Sequence, residues 1–368
     1  MILTARQLNR TVLQRQLLLE RVRRPALDVV EHLVGLQAQE PQDPYLALWS
    51  RVVDFDPTEL SDALEQRRAA RIAAMRGTVH LFTAADALAL RPLAQPVLDR
   101  ELKVRMFREP LEGVDLRPVL ALAVEALAAG PTTMQQLRAV FAERFPDLDA
   151  PALAYACRNH LALVQTPPRG LWRRGGQVRY ALADRWLGGQ LRAPFVEDVV
   201  RRYLAAFGPA SNADIAAWSR LQAIREITER MRPSLRTHRD ERGRELFDLP
   251  EAQIADPDAP APVRVLPEYD NVLLSHDDRS RFFPSAEAKA LLGSVERKVS
   301  GTVLCDGVVV GTWRVDRSTA PRRLVVDHAV VLTDAAQAEI EREVAAMIPF
   351  AAPDAAPEPG FRRLGGDA

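Results

Sequence analysis

Two glutamines near the N-terminus, Gln37 and Gln39, are the residues whose type and spacing first suggest chemistry. On an α-helix, positions two apart point about 200° away from each other, so the two amides could not serve one site there. In extended backbone they share a face. Pro41 and Pro44 favour such geometry after a helix predicted over Ala26 to Leu36. The spacing is therefore compatible with two amides projecting into a cleft, and equally with the capping or solvated glutamines common beside helix ends.

A second polar cluster lies in the segments Glu268 to Asn271 and His276 to Arg279. Neighbouring carboxylates can carry out acid–base chemistry, but Asp, His and Arg within one turn more often form a hydrogen-bonded buckle. The candidates for a site beside the C-terminal strands, or for such a buckle, are Asn271, His276, Asp278 and Arg279. A small-molecule hydrolase using His276, Asp277 and Asp278 is the least favoured interpretation.

Other familiar chemistries lack their minimal motifs. The six histidines show no HxxxH spacing, and Cys157 and Cys305 form no CxxC pair, so we expect no metal site. The sequence contains no P-loop, GxGxxG or GxSxG, and we expect no nucleotide cofactor, and no cofactor of any other kind. Two cysteines cannot build a disulfide framework and favour a reducing compartment such as the cytoplasm.

Length and charge narrow the class of protein. The 368 residues are 47% hydrophobic, enough for two or three folded units. The 49 basic and 49 acidic residues cancel, but residues 1–120, 121–250 and 251–368 carry +1, +5 and −6, and 46 of the basic residues are arginine. Arginine forks suit phosphate and guanine, although codon bias in a GC-rich genome explains them equally well. The N-terminal residues and the longest apolar stretch predict neither a signal peptide nor a membrane span.

Local signals place several elements in the first third. Thr4 and Gln7 form a capping box that opens the first helix, and a further helix is expected through Tyr45 to Val52. Asp56 followed by Pro57 is a strong helix start. In RIAAMRGTVHLF the hydrophobic period shortens to two around Gly77, which predicts a hairpin.

Two later stretches repeat one plan of three helices and a hairpin, which is a winged helix. In the first stretch, one helix ends at Gly130, a second begins at Thr132 with Gln135, and a third runs from Pro151 to Leu161. Two strands around residues 173–176 follow. In the second stretch, one helix ends at Gly208, a second begins at Ser211 with Asp214, and a third covers Gln222 to Met231. Two strands around residues 240–243 follow. The N-terminal helices and hairpin are compatible with a third, less regular copy.

From Val263 the composition shifts to strand. The runs VRVLPEYDNVLLS, KVSGTVLCDGVVVGTWRV and RRLVVDHAVVL predict a small barrel or sheet. A last helix is expected from Asp334 to about Met347, followed by a flexible tail.

Six blocks resemble, in order and spacing, the AlkZ/YcaQ-like winged-helix DNA glycosylases over roughly residues 4–350. They are GLQAQEPQDPYLALWSR, MRGTVHL, LVQTPPRGLW with DRWLG, RYLAAFGPAS with Asp214 and Trp218, LPEYDNVLLSHDDRSRF, and DGVVVGTWR. The Gln-x-Gln form of the first block is similar to the AlkZ branch, which unhooks interstrand DNA crosslinks in antibiotic producers.

The resemblance implies an α+β fold of three tandem winged-helix units and a C-terminal β-barrel or sheet, C-shaped around a DNA channel. The predicted units are 1–117, which holds the glutamine pair, 118–193, 194–260, the β-barrel at 261–350, and the tail at 351–368.

The resemblance also implies a function. Gln37 and Gln39 would be the catalytic pair of a monofunctional DNA glycosylase that releases cationic N7-alkylpurines and unhooks crosslinks, as self-resistance to an alkylating natural product. The expected partner is damaged double-stranded DNA, bound at the nucleoid by a monomer without a membrane or nucleotide cofactor. The alternative is a non-catalytic winged-helix transcriptional regulator, which predicts sequence-specific binding that does not depend on the glutamines.

Basic residues are the candidates for DNA contact, the alternative being that they are merely solvated. Those expected near the lesion are Arg51, Arg76 and His80. Those expected on the hairpin wings are Arg173, Arg174, Arg236, Arg239, Arg242 and Arg244.

Overall fold

A computed structural model describes residues 1–296 and 301–364 as a mixed α+β protein. The helices of this part of the chain are α1 Ala5–Arg15, α2 Ala26–His32, α3 Asp43–Trp49, α4 Pro57–Glu65, α5 Ala84–Leu93, α6 Gln95–Glu101, α7 Arg105–Leu111, α8 Leu116–Ala128, α9 Met134–Arg144, α10 Ala150–His160, α11 Ala183–Leu187, α12 Val196–Phe207, α13 Asn212–Ser219, α14 Ile224–Met231, α15 Asn271–Leu274, α16 Ala286–Glu296 and α17 Asp334–Ala351. None of these helices has the length and apolar character needed to cross a membrane.

The strands are short and form three sheets. They are β1 Ile2–Leu3, β2 Leu36–Gln37, β3 Ala69–Ala73, β4 Val79–Thr83, β5 Leu163–Gln165, β6 Tyr180–Leu182, β7 Arg236–Asp240, β8 Glu245–Asp248, β9 Arg264–Leu266, β10 Gly301–Cys305, β11 Val308–Asp316, β12 Arg323–His328 and β13 Gly360–Arg363. The sheet orders are β2-β4-β3-β5-β6, β1-β7-β8 and β13-β12-β11-β10-β9. The first sheet joins strands from both sides of residue 117, so the first two predicted units share hydrogen-bonded backbone.

The three predicted hairpins are confirmed. β3 pairs antiparallel with β4, β5 with β6, and β7 with β8. In each case a segment that contains glycine separates the two strands, which is a local signal in the sequence.

Helix starts are also set locally. The capping boxes Thr4 with Gln7 and Ser211 with Asp214 form as predicted, and Asp56 caps α4. The box expected at Thr132 with Gln135 instead forms one residue later, at Thr133 with Gln136. Thr132 is used elsewhere, because its backbone pairs with Tyr180 and its hydroxyl donates to Gly130 O at 2.9 Å.

Three further expectations need correction. The helix predicted over Ala26 to Leu36 ends at His32, because Val34 and Gly35 adopt positive φ and β2 begins at Leu36. In VRVLPEYDNVLLS only residues 264–266 are strand, and Asp270 caps the short helix α15 by accepting from Val272 N. The run KVSGTVLC is strand from Gly301, and its residues 298–300 lie outside the described part of the chain.

The tail expected to be flexible is ordered in part. α17 extends to Ala351, and β13 pairs parallel with β12 at the edge of the C-terminal sheet. Arg362 Nε also donates to Asp327 at 2.7 Å. The hydrogen bonds of β13 and this ion pair hold residues that composition alone assigns to a loose end, and residues 365–368 lie outside the described part.

A buried ion pair joins the N-terminal half to the C-terminal strands. Arg51, just after α3, makes a bidentate contact with Asp270, with both N···O distances 2.8 Å and both side chains fully buried. Its remaining donors reach the backbone oxygens of Gln16 and Ala47. The pair therefore fixes three segments distant in sequence at one point, next to the segment that carries Gln37.

We expect Arg51→Ala to destabilise the fold by roughly 3–5 kcal/mol, because the change leaves the Asp270 carboxylate buried without its partner. Urea unfolding followed by circular dichroism measures this, with Arg174→Ala at an exposed site as the matched control, expected within about 0.5 kcal/mol of wild type. Equal unfolding midpoints for the two variants would contradict the structural role given to the pair.

Candidate active site

Gln37 lies in the short edge strand β2, and its side chain is held by a cation. β2 pairs antiparallel with β4, with Leu36 opposite Leu81 and Gln37 opposite His80. The Gln37 side chain is 5% exposed, and Arg76 Nη2 donates to an amide atom of Gln37 at 2.6 Å. A guanidinium can only donate, so that atom is the carbonyl oxygen Oε1. The amide orientation is therefore fixed, and Nε2 remains as the donor of Gln37.

His80 supports this arrangement as a neutral ring. Its Nδ1 lies 3.0 Å from the backbone oxygen of Thr78, which can only accept, so Nδ1 carries the proton. Nε2 then accepts from Arg76 Nη2 at 3.2 Å. Burial, followed by the charge of Arg76, lowers the pKa of His80 to about 3. His80 is thus an acceptor that orients Arg76.

Arg76 sits in the turn between β3 and β4 with a left-handed backbone, φ 57°. Its Nη1 donates to Trp218 O in α13 at 3.1 Å. Burial and the nearby charge of Arg220 lower the pKa of Arg76 to about 10, so the guanidinium still carries its charge at neutral pH. Arg76 connects Gln37 to α13.

Gln39 differs from Gln37 in being exposed. Pairing with the hairpin continues past β2, because Ala38 N donates to Val79 O at 2.8 Å. The Gln39 side chain accepts from Val79 N at 3.3 Å through Oε1. The extended geometry expected for the two glutamines is therefore present, with one amide packed against Arg76 and the other open to solvent.

The backbone of residues 35–38, which carries Gln37 and leads to Gln39, is fixed by contacts from several sides. Gly35 has φ +87°, and a Cβ there would overlap the Phe82 ring. Asn271 Nδ2 donates to Gly35 O at 2.6 Å, and Arg71 Nη2 donates to Ala38 O at 2.9 Å. These bonds hold the backbone of residues 35–38 before any substrate arrives.

An acidic cluster borders Gln39. It consists of Glu40, Asp43 and Glu268, with Tyr269 beside them. Glu40 is exposed, Glu268 and Tyr269 are partly exposed, and Asp43 is 6% exposed with its Oδ2 lacking a partner in the described residues. Burial, then the carboxylates of Glu268 and Glu40, raise the pKa of Asp43 to about 8, although the backbone N–H of Tyr269 donates to it. Burial and Glu40 also raise the pKa of Glu268.

Arg51 and His80, both predicted to contact DNA, are buried in the free protein. Arg51 is fully buried against Asp270, and His80 is 1% exposed and bonded to Thr78 and Arg76. Neither side chain presents an open surface to a ligand in this conformation. Arg76 also lies at the glutamine pair, and unlike Arg51 and His80 it is partly exposed.

The hairpin arginines remain at the surface. Arg173, Arg174, Arg236, Arg239 and Arg242 are exposed, and Arg244 is partly exposed. Several have protein partners: Arg173 donates to Phe350 O, Arg239 to Gly243 O, and both Arg242 and Arg244 contact Asp278. Their exposure is compatible with DNA contact, and these partners reduce the charge that Arg242 and Arg244 can offer.

The polar cluster of the C-terminal segment forms structural contacts. Asn271 bonds to Gly35, and His276 Nε2 lies 3.0 Å from Phe207 O in α12. Asp278 pairs with the β7–β8 hairpin, and Arg279 O accepts from Phe282 N. These contacts tie the segment to the rest of the fold, as expected of a buckle. The described residues contain no group of three His, Cys, Asp or Glu side chains placed to hold a metal ion.

The sequence did not point to Glu40, Asp43 or Arg71 as part of the site. Asp43 begins α3 beside a proline, which suggests only a helix start. Glu268 belongs to the polar segment Glu268 to Asn271, but nothing in the sequence indicates that it lies close to Glu40 and Asp43.

Comparisons with known proteins agree on one family. The family model described as DNA glycosylase AlkZ-like matches residues 30–350. An interstrand DNA cross-link repair glycosylase of Streptomyces sahachiroi is 26% identical over 355 residues, covering 87% of this chain and 88% of the relative. The solved structure of the Streptomyces sahachiroi DNA glycosylase AlkZ superposes with a TM-score of 0.73 at 23% identity, covering 99% of this chain and 100% of that one. The last likeness shows a shared fold.

We expect Asp43→Asn to flatten the dependence of stability on pH. The folded pKa of Asp43, about 8, lies above the ordinary value of 3.8, so between these values the folded state holds a proton that the unfolded state has lost. Wild-type stability therefore falls as pH rises through this window, and the variant lacks that loss. Relative to wild type, the variant should therefore have a higher urea midpoint at pH 8 than it has at pH 5. A wild-type-to-variant difference that is the same at both pH values would show that Asp43 ionises normally.

Proposed function

This chain belongs to the AlkZ-like family of DNA glycosylases, and from that premise we propose that Gln37 and Gln39 catalyse release of cationic N7-alkylpurines. The observation that carries the proposal is an exposed amide, Gln39, beside a fixed amide, Gln37, at the edge of an acidic cluster. DNA is a polyanion, so negative charge at its binding surface weakens ordinary binding. The same charge favours a substrate that is itself cationic.

The lesion needs no general acid. Alkylation at N7 makes the purine positively charged and a good leaving group. As the N-glycosidic bond breaks, positive charge moves to C1′ of the sugar, and catalysis consists of stabilising that charge and placing a water. Glu40 and Glu268 supply negative potential next to Gln39 for this step.

The two amides have different tasks in this mechanism. Gln37 Oε1 is held by Arg76, so Gln37 offers Nε2–H to the oxygen of a water. Gln39 offers its carbonyl to a proton of the same water and directs a lone pair toward C1′. A neutral amide is a poor base, so this site suits a leaving group that is already charged, and neutral lesions fall outside its range.

The substrate also includes interstrand crosslinks in our proposal. The Streptomyces sahachiroi relative bears that name, and the exposure of Gln39 is compatible with a base that stays tethered to both strands. A role in self-resistance of a bacterial producer of an alkylating compound follows from that substrate. We propose that the protein acts as a monomer.

We further propose that three winged-helix units, 1–117, 118–193 and 194–260, together with a β-barrel domain at 261–350, surround a DNA channel. The order of α8, α9, α10 and the β5–β6 hairpin, repeated by α12, α13, α14 and β7–β8, supports this. In this arrangement the exposed arginines Arg173, Arg174, Arg236 and Arg239 contact the phosphate backbone.

We expect the double variant Gln37→Ala/Gln39→Ala to lose base release from duplex DNA carrying N7-methylguanine by on the order of 100-fold or more, while binding to the duplex persists. The measurement is single-turnover release by wild type and variant, in parallel on a nitrogen-mustard crosslink and on hypoxanthine as a neutral lesion. Gln190→Ala/Gln337→Ala, at exposed glutamines elsewhere, is the matched control. Release of hypoxanthine at the same rate as N7-methylguanine, or full activity of the Gln37/Gln39 variant, would refute the mechanism.

A further inference from the structure

A hollow of about 570 Å³ opens beside Arg76. Three arginines line it, Arg76, Arg100 at the end of α6 and Arg220 after α13, together with one carboxylate, Glu101, and apolar side chains that include Val97. Arg76 also holds Gln37, so the hollow adjoins the glutamine pair through a single side chain. The hollow and the acidic cluster flank the pair with opposite charge.

The three arginines of the hollow are not paired with a carboxylate within the described residues. Arg100 Nη2 donates to the backbone oxygen of Arg220 at 3.2 Å, and none of the three arginines forms an ion pair with a carboxylate in the described part of the chain. Glu101 is already bonded by Tyr155 and Asn159, with Arg158 at 3.8 Å. Its charge is therefore shared among other partners.

Gathering these cations has an electrostatic cost in the free protein. Arg220 disfavours the charged form of Arg76, which burial already disfavours. Arg220 holds its position with a left-handed backbone, φ 57°. An anion in the hollow would remove the repulsion, and the planar forks of arginine fit the oxygens of a phosphodiester.

We propose that this hollow binds a backbone phosphate of the DNA strand that carries the lesion, next to the modified nucleotide. The inference rests on the proposed function, because it takes the glutamine pair as the place where that nucleotide sits. Arg100 and Arg220 hold the phosphate, and Arg76 is a positioning residue that links the phosphate to the orientation of Gln37. Three of the five N–H groups of Arg76 are used by Gln37, His80 and Trp218, so two remain for the phosphate.

The test combines protein variants with neutral phosphates. The protein variant is Arg100→Gln/Arg220→Asn, since asparagine tolerates the left-handed backbone at position 220. The control Arg317→Gln/Arg323→Gln removes the same charge from exposed sites at the C-terminal sheet. Each phosphodiester on either side of a tetrahydrofuran abasic analogue is replaced in turn by an uncharged methylphosphonate, and duplex affinity is measured by fluorescence anisotropy over a range of salt concentrations.

We expect one methylphosphonate position to weaken wild-type binding about tenfold and to leave binding by the Arg100/Arg220 variant unchanged. That variant should also lower the salt slope by about 0.9 for the lost phosphate contact. If every methylphosphonate affects the variant, the control and wild type equally, the phosphate site is refuted. This binding assay uses no cleavable base, so its result is independent of the base-release assay. If the methylphosphonate effect depends on Arg100 and Arg220 but the protein releases no base, the proposed chemistry is rejected and the phosphate site is kept.

Discussion

The pairing of β2 with β4 is the constraint on which the site depends. This two-residue strand places Gln37 opposite His80 and carries extended backbone on to Gln39. Because side chains alternate along a strand, a shift of one residue would turn both amides to the other face. The surrounding contacts prevent that shift: Gly35 fits against the Phe82 ring only without a Cβ, and Asn271 bonds to its carbonyl. The rest of the fold supports this short segment.

The electrostatics of the site follow from what lies on its two sides. Arg76 and the hollow beside it are positive, which suits the backbone of DNA, whereas Glu40 and Glu268 are acidic, which suits a cationic base and sugar. A glycosylase for neutral lesions would need a proton donor for the leaving base. In the proposed mechanism the two amides instead match a lesion that brings its own positive charge, and for such a lesion glutamine would suffice.

Local signals in the sequence predicted much of the fold. Capping boxes such as Thr4 with Gln7 and the three hairpins depend on residues close in the chain, and they form as expected. The family resemblance pointed to Gln37 and Gln39, whereas Arg76 was expected near them only as a DNA contact and not as the partner of Gln37. The burial of Arg51 against Asp270, and the meeting of Asp43 with Glu268, join segments far apart in sequence, so only the folded structure shows them. For the same reason His80 could be placed near the pair but not recognised as buried.

The most direct measurement compares two abasic analogues in duplex DNA, a cationic pyrrolidine nucleotide that mimics the charge at C1′ and the neutral tetrahydrofuran of the same shape. We expect wild type to bind the pyrrolidine duplex at least about tenfold more tightly than the tetrahydrofuran duplex, as a transition-state mimic should be bound. Glu268→Gln and Gln39→Ala should each reduce this preference. Equal affinity of the wild-type protein for the two duplexes would contradict the claim that the site stabilises a cation.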